Sequence, residues 1–243
     1  TRSHCDWSSD VCSSDLPVDG NRVVGSDSLL FTDRLPEHLV LVGGGYIGVE
    51  LGCAFAKLGS RVTIVETEDR VLPGFDSRTG RLVARGLRRL GVGLCLEHRA
   101  VGTDKHGLVV AGPDVEATLP ADRIAVVVGR RPNSDTVAIE MAGATLDGTG
   151  LVTVDPGRRA TDAVFAIGDL TKGPALAHKA TAEAEVAADV ACGRPAAFDP
   201  TCVPMVVFSD PQVMVVGMDL DEATEAGDRK STRLNSSHSE TSY

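Results

Sequence analysis

The sequence is poor in aromatic residues, with one Trp, two Tyr and six Phe among 243 residues. So few rings offer little surface for stacking on nucleotide bases. Positive charge is also short, because 24 Lys and Arg stand against 34 Asp and Glu, which gives a formal net charge of −10. These two shortages argue against a nucleic-acid-binding protein and against attachment to an acidic membrane surface.

Long hydrophobic runs are also missing. No apolar stretch approaches the ~20 residues that a membrane-spanning helix needs, and no signal peptide is visible. The six cysteines are irregularly spaced, unlike those of a disulfide scaffold. Cys53, Cys95, Cys192 and Cys202 lie in apolar or helical patterns and are predicted to be buried, reduced thiols. The sequence therefore predicts a soluble cytoplasmic protein without a metal site.

The two ends differ in texture from the rest of the chain. Residues 1–16 and 229–243 each contain five serines and have neither helical nor strand periodicity. Both resemble translated adapter sequence, so they are interpreted as artefactual tails; a natural disordered tail is the alternative. The artefact interpretation implies a protein cut at both ends, and it gives Cys5 and Cys12 no redox role.

Residues 39–66 are the most informative segment. Residues 39–42 form an uninterrupted apolar run typical of a buried parallel strand. Residues 46–58 have the spacing of a helix that ends at Gly59. Residues 62–65 are predicted to be the second strand. This order predicts a βαβ unit.

The turn between the first strand and the helix fits the pattern G-x-G-x-x-G. Gly43 permits the tight turn, Gly45 lets a pyrophosphate approach the backbone, and Gly48 lets the helix pack closely on the strand. The N-terminus of the helix offers free N–H groups and a partial positive charge to phosphates. The predicted binding loop consists of Gly43, Gly44, Gly45, Tyr46, Ile47 and Gly48.

Glu66 follows the second strand, eighteen residues after Gly48. A carboxylate at this place can accept hydrogen bonds from both ribose hydroxyls of the adenosine, and it would repel a 2′-phosphate. The βαβ unit is therefore predicted to bind NAD(H) in preference to NADP(H). A glycine-rich turn without a ligand is the alternative.

The rest of the chain continues as an α/β pattern. An amphipathic helix with five arginines, interpreted as a solvated face, is predicted over residues 78–90. The other predicted elements are strands over residues 92–96, 108–110, 115–119, 124–128, 152–154 and 164–167, and an alanine-rich helix over residues 176–191. From residue 199 the pattern changes to short β-rich runs at 203–208 and 213–216, which suggests a new domain.

Five motifs in a fixed order resemble the flavin-dependent pyridine nucleotide–disulfide oxidoreductases, and within that family the dihydrolipoamide dehydrogenase branch. They are GGGYIGVE (43–50), VTIVE (62–66), VGRRPN (128–133), VFAIGD (164–169) and LAHKA (176–180). The resemblance covers about residues 17–228 and implies FAD and NAD as cofactors.

The resemblance implies a Rossmann-like NAD-binding domain inserted in a partial FAD-binding domain, followed by the start of an α+β interface domain. Residues 17–36 would close the first FAD-domain segment, and residues 37–150 would form the NAD-binding domain. Residues 151–198 would be the second FAD-domain segment, and residues 199–228 a truncated dimerisation domain.

The resemblance also implies roles on the flavin side. Asp169 would accept hydrogen bonds from the ribityl chain; a simple turn-former is the alternative. Leu176, Ala177 and His178 would begin a helix whose N–H groups face the flavin pyrimidine edge, and whose positive end would stabilise charge on the reduced flavin. His178 would act mainly through its backbone.

The resemblance implies four further positions, two at the pocket between flavin and nicotinamide and two along the NAD(H) molecule. Tyr46 would cover the flavin face and shift when nicotinamide enters; a core tyrosine is the alternative. Glu50 would face the same pocket, unpaired because the family's lysine partner is missing from this sequence. Ala100 and Gly129 would line the adenine and nicotinamide sides through backbone contacts.

Three family features are missing: a second G-x-G-x-x-G, a C-x-x-x-x-C redox pair and a C-terminal His–Glu pair. No catalytic residue is therefore predicted, and truncation explains all three absences. The intact parent would be a homodimer that converts dihydrolipoamide and NAD+ to lipoamide and NADH, with a 2-oxoacid dehydrogenase complex as a candidate host. The alternatives are a mercuric, glutathione-type or transhydrogenase relative, or a simple NAD-binding module.

Overall fold

The computed structural model of the chain describes residues 9–11, 16–113, 116–135 and 139–218, together with residues 223, 225 and 227. Most of the two predicted tails, with Cys5 and Cys12, lies outside these residues, as does the end of the predicted dimerisation segment. Residues 9–11 of the first tail pair as a short strand with residues 130–132. The artefact interpretation of the tails stays a prediction.

The described residues form twelve strands and four α-helices. The strands are β1 Ser9–Val11, β2 Val23–Gly25, β3 His38–Val42, β4 Arg61–Val65, β5 Gly93–Cys95, β6 Arg99–Thr103, β7 Gly107–Ala111, β8 Glu116–Pro120, β9 Arg123–Val126, β10 Arg130–Pro132, β11 Met205–Val207 and β12 Val213–Val215. The helices are α1 Ser26–Leu30, α2 Tyr46–Leu58, α3 Ser77–Arg89 and α4 Ala177–Ala191. Short 3-10 helices span Ile139–Ala142 and Gly168–Leu170.

A five-stranded parallel sheet with the order β2-β9-β3-β4-β5 holds the predicted βαβ unit. Helix α2 has the predicted bounds, and Gly59 ends it in the left-handed conformation with a φ of 107°. β3 and β4 lie side by side, with Leu39 opposite Val62 and Val42 opposite Val65. The α/β fold that the periodicity predicted is confirmed.

The side chains of β3 contribute to two hydrophobic layers, one on each face of the sheet, because successive side chains of a strand point to opposite faces. Leu39 and Leu41 pack in the cluster that contains buried residues of α2 and α3. Val40 and Val42 pack in a second cluster with Leu108 of β7. The antiparallel sheet β6-β7-β8 therefore covers one face of the parallel sheet, and the two helices cover the other.

Some sequence predictions differ from the structure. The strands predicted over 152–154 and 164–167 are wrong: these residues make only single bridges, Leu146 to Val152 and Arg159 to Phe165. β2, α1 and β6 were not predicted. β2 is only three residues long, and a register shift between Ala100 and Gly102 interrupts the pairing of β6. β2 lies in the parallel sheet, although residues 17–36 were assigned to the FAD-domain segment.

The hairpin of β11 and β12 packs against the helical layer. Gly86 of α3 permits this contact, because a Cβ atom there would overlap the carbonyl oxygen of Asp210. Lys57 of α2 forms a 2.7 Å ion pair with Asp210, and this bond lowers the pKa of the Asp210 carboxyl below its ordinary value of 3.8. The segment after residue 199 is therefore anchored to both α2 and α3.

The four described cysteines are free thiols, but the prediction that all are buried was wrong. Cys53 of α2 is buried, and burial raises the pKa of its thiol. Cys95 is half-buried, while Cys192 and Cys202 are exposed because they lie just beyond α4 and just before β11. Among the described residues, no helix is long and apolar enough to cross a membrane. No group of three or more potential metal ligands occurs in the same part of the chain.

Candidate functional site

A cavity of about 630 Å³ opens where β3, β4 and β9 end. In open α/β sheets, ligands bind in the crevice at the carboxyl ends of parallel strands. The sequence-predicted residues that line this cavity are Gly43, Gly45, Tyr46, Ile47, Glu66, Ala100 and Gly129. The structure thus brings half of the predicted site residues to one place.

The three motif glycines have different surroundings. Gly43 has a φ of 116°, and a Cβ atom there would lie 2.7 Å from the Val127 carbonyl oxygen. A Cβ atom on Gly48 would overlap the Gly43 carbonyl oxygen. By contrast, apart from Gly45 itself and its neighbours along the chain, no atom of the described residues lies within 4 Å of the place where a Cβ atom of Gly45 would be. Protein packing therefore requires glycine at positions 43 and 48, whereas at Gly45 the space beside the backbone stays open.

Helix α2 begins at this open point. Gly45 is its N-cap residue, and no side chain caps the helix. The first N–H groups of a helix lack partners within it and carry the positive end of the helix dipole. Since Gly45, Tyr46 and Ile47 all line the cavity, this end of α2 is suited to an anionic group.

The Glu66 carboxylate is held against the glycine loop. Its Oε2 atom accepts a hydrogen bond of 2.7 Å from the Gly44 N–H group. Its Oε1 atom accepts bonds of 3.0 Å from the Thr67 hydroxyl and 3.1 Å from the Glu68 N–H group. Only 9% of Glu66 is exposed. The acid is thus fixed at the cavity wall, and carboxylate oxygens have capacity to accept further bonds.

Glu50 has a partner that the sequence did not predict. Its Oε1 atom accepts a 2.8 Å hydrogen bond from the N–H group of Phe208, just after β11. The expectation of an unpaired Glu50 was therefore wrong, because the segment after residue 199 folds back onto α2. Glu50 does not belong to the residues that line the cavity, although Tyr46, one turn earlier, does.

Arg130 joins the cavity to the predicted flavin side. It lines the cavity, and its guanidinium lies 2.7 Å from the Asp169 carboxylate. The Asp169 side chain is 12% exposed and the Arg130 side chain 31%. Ala175, just before α4, also lines the cavity. Arg130 belongs to the VGRRPN motif, but the motif by itself predicts no role for it.

The start of α4 matches the predicted helix end. Leu176 is the N-cap residue and has no side-chain capping bond. Ala177 and His178 are exposed. The His178 imidazole lies 2.8 Å from the Pro204 carbonyl oxygen, so its side chain contacts the residues before β11.

Behind Asp169 lies a buried cluster of charges that is not among the residues predicted from the sequence. Glu183 is fully buried; it accepts hydrogen bonds of 2.6 Å from the Gly168 N–H group and 2.8 Å from Arg158. Lys179 donates to the Gly168 carbonyl at 2.9 Å and to the Thr171 hydroxyl at 3.1 Å. Lys179 and Glu183 are one turn apart on α4, a spacing that could have pointed to the pair. The cluster holds both backbone polar groups of Gly168, next to Asp169.

Comparison with known proteins gives these features a context. The family described as pyridine nucleotide-disulphide oxidoreductase matches residues 12–184. The dihydrolipoyl dehydrogenase of Pseudomonas aeruginosa is 42% identical over 213 residues, which are 87% of this chain and 46% of that protein. The dihydrolipoyl dehydrogenase of Haloferax volcanii is 43% identical over 213 residues, covering 84% of this chain and 45% of that protein.

Solved structures agree. The HOCl-induced flavoprotein disulfide reductase RclA from Escherichia coli has a TM-score of 0.80 at 30% identity, over 89% of this chain and 51% of that one. LpdA from Mycobacterium tuberculosis has a TM-score of 0.78 at 28% identity, over 91% and 49%. The chain spans about half the length of these relatives. Members of the matched family use FAD and NAD, the two predicted cofactors. The chain belongs to the pyridine nucleotide-disulphide oxidoreductase family.

Proposed function

We propose that this chain forms the NAD(H) site of an FAD-dependent disulfide oxidoreductase, whose intact form converts dihydrolipoamide and NAD+ to lipoamide and NADH. One observation carries the proposal. The open backbone at Gly45 and the fixed carboxylate of Glu66 lie in the same cavity, joined by the bond from Gly44 to Glu66. A dinucleotide site needs these two parts side by side: a helix N-terminus that binds the pyrophosphate and an acid that accepts hydrogen bonds from the ribose.

Each part of the cavity has a proposed task. The N-terminus of α2 binds the pyrophosphate, because its uncapped N–H groups lie beside the open face of Gly45. Glu66 accepts hydrogen bonds from the adenosine ribose and repels a 2′-phosphate, which selects NAD(H). Arg130 places a positive charge at the cavity wall, held there by Asp169. Ala100 and Gly129 contribute backbone surface.

The flavin side fits only in part. When bound, FAD would carry electrons between a dithiol and the nicotinamide. The start of α4 has no side-chain cap, and its residues Ala177 and His178 are exposed, so it can face an anionic flavin edge. Asp169 follows Gly168, whose N–H group is held by Glu183. The sequence of this chain contains no C-x-x-x-x-C pair. We therefore propose that this chain binds NAD(H) but does not oxidise a dithiol. We also propose that the intact protein is a cytoplasmic homodimer.

NADH and NADPH titrations of the 243-residue chain, followed by nicotinamide fluorescence, test the proposal. NADH is expected to bind at least about tenfold more tightly than NADPH. Gly45→Ala should weaken NADH binding about tenfold or more, because the methyl group fills the space that the pyrophosphate needs. Its cost in the free energy of unfolding should stay below about 1 kcal/mol, because the new methyl group meets no other atom of the described residues beyond its neighbours along the chain.

Two further variants sharpen the test. Glu66→Gln should weaken NADH binding about tenfold and reduce the preference over NADPH, since it removes the charge that opposes a 2′-phosphate. Glu37→Gln is the matched control, because Glu37 is an exposed carboxylate that does not line the cavity. Equal affinity of the wild-type chain for NADH and NADPH, or unchanged binding in Gly45→Ala, would contradict the proposal. Formation of NADH from dihydrolipoamide would contradict the proposed inactivity alone.

A further inference from the structure

A second cavity, of about 490 Å³, lies between α3 and the loop that follows β4. Five arginines line this arginine groove, namely Arg70, Arg78, Arg81, Arg85 and Arg88. Among the described residues, the one acidic side chain in the lining is that of Asp69, which forms a 2.9 Å ion pair with Arg70. A chain with a net charge of −10 thus concentrates positive charge at one concave place.

The four arginines of α3 share one helical face. They are spaced at three, four and three residues, so they lie in a row about 15 Å long. All four are exposed, and no ion pair is found for any of them among the described residues. Because like charges three or four residues apart on a helix repel each other, the row of Arg78, Arg81 and Arg85 does not serve the stability of α3.

Besides the charged side chains, Gly80, Ala84 and Leu96 line the groove. Gly80 allows the backbone of the loop to approach α3, since a Cβ atom there would lie 2.8 Å from the Val71 carbonyl oxygen. In the described part of the chain, the buried Nε atom of Arg70 has no hydrogen-bond partner. Positive groups from two elements therefore surround a space whose volume is typical of small-molecule sites.

We propose that the arginine groove binds a small polyanion with two or more linked phosphate groups. Guanidinium groups match phosphate oxygens with paired hydrogen bonds. A row of about 15 Å is longer than a single phosphate, which favours linked phosphates. This site is separate from the dinucleotide cavity: Glu66 and Thr67 line that cavity, whereas Asp69 and Arg70 of the same loop line the groove.

Titration of the full chain with sodium tripolyphosphate by isothermal calorimetry, at low and then raised NaCl concentration, tests this site. We expect saturable 1:1 binding that weakens as salt screens the charges. The double variant Arg81→Gln/Arg85→Gln should raise the Kd about tenfold or more, through loss of two charge-assisted contacts. Glutamine has a helix propensity close to that of arginine, so α3 should persist.

The double variant Arg34→Gln/Arg89→Gln is the matched control. It removes the same charge from two exposed arginines that do not line the groove, and Arg89 lies on α3 itself. It should change the Kd by less than about twofold, because only non-specific attraction is altered. NADH affinity, measured in parallel, reports on the dinucleotide cavity independently.

Several outcomes decide the proposal. Equal losses in the two double variants, absent saturable binding, or binding of orthophosphate as tight as tripolyphosphate would overturn it. Binding of a poly-glutamate peptide without binding of tripolyphosphate would also overturn it. Linked phosphate groups can come from a free phosphate chain or from a nucleotide, and a titration with ATP distinguishes these two sources. Equal affinity for both supports a site that binds phosphates alone, and tighter binding of ATP supports a nucleotide as the source.

Discussion

Replacing Glu183 by Gln removes the negative charge from the buried cluster behind the 3-10 turn Gly168–Leu170. The Glu183 carboxylate is surrounded by donors: the Gly168 N–H group at 2.6 Å, the Arg158 guanidinium at 2.8 Å and the Thr171 hydroxyl at 3.1 Å. Gln has nearly the same size but is neutral. The Gln amide nitrogen is a hydrogen-bond donor, and it would stand where a carboxylate oxygen now accepts a bond from one of these donors. At least one buried hydrogen bond is therefore lost.

The expected cost follows from the two cations that remain. The Lys179 side chain is 1% exposed and cannot reach water, whereas the Arg158 side chain is 12% exposed and has partial access. Removing one partner from a buried ion pair costs about 3 to 5 kcal/mol. We therefore expect Glu183→Gln to lower the free energy of unfolding by about 4 kcal/mol. For a chain of this length that corresponds to a fall in Tm of about 8 to 16 °C.

Urea unfolding followed by circular dichroism measures this loss as a change in midpoint at constant m-value. Glu185→Gln is the control, because Glu185 is exposed on the same helix, and its effect should stay within about 0.5 kcal/mol. The double variant Lys179→Met/Glu183→Gln should be less destabilised than the sum of the single variants. If Glu183→Gln shifts the midpoint no more than Glu185→Gln does, the cluster makes no net contribution and the reasoning fails.

Three further predictions address other contacts. Arg130→Gln should weaken NADH binding about tenfold, because it removes the positive charge that Asp169 holds at the cavity, while its exposed neighbour Arg131→Gln should change it less than twofold; equal effects in a fluorescence titration would exclude a specific role. Gly86→Ala should destabilise the chain by about 1 to 3 kcal/mol, because the new methyl group displaces the backbone at Asp210; an unchanged Tm would contradict this. Partial burial by itself would raise the pKa of the Asp122 carboxyl. The hydrogen bonds that the Glu37 and His38 backbone N–H groups donate to this carboxylate have the larger effect, and they hold its pKa below the ordinary value of 3.8. Because folding depresses this pKa, the stabilisation is complete above the unfolded-state value and is lost as the pH falls through the folded-state pKa; urea midpoints measured down to about pH 3 should therefore fall less in Asp122→Asn than in the wild-type chain.

Features with a local cause could be predicted from the sequence. Helix α2 was predicted with its observed bounds, because apolar spacing marks its body and Gly59 its end. The need for glycine at position 43, in the turn, and at position 48, where the helix packs on the strand, follows from the motif, since a Cβ atom at either place would meet backbone atoms. Weak local patterns gave wrong predictions. The runs at 152–154 and 164–167 have strand-like composition, but in the described chain they form only isolated bridges and pair with no neighbouring strand.

The glycine loop, the acid that follows β4 and the family resemblance were thus determined by the sequence itself, because each depends on residue types at short, fixed spacing. Only the tertiary structure decided how these parts are joined. Glu50 binds the backbone of Phe208, and Arg130 pairs with Asp169, across long stretches of chain. Such contacts depend on where distant segments meet in space, and no local periodicity encodes that. The arginines of α3 were visible as a charged helical face, but only the approach of the loop after β4 makes that face a groove.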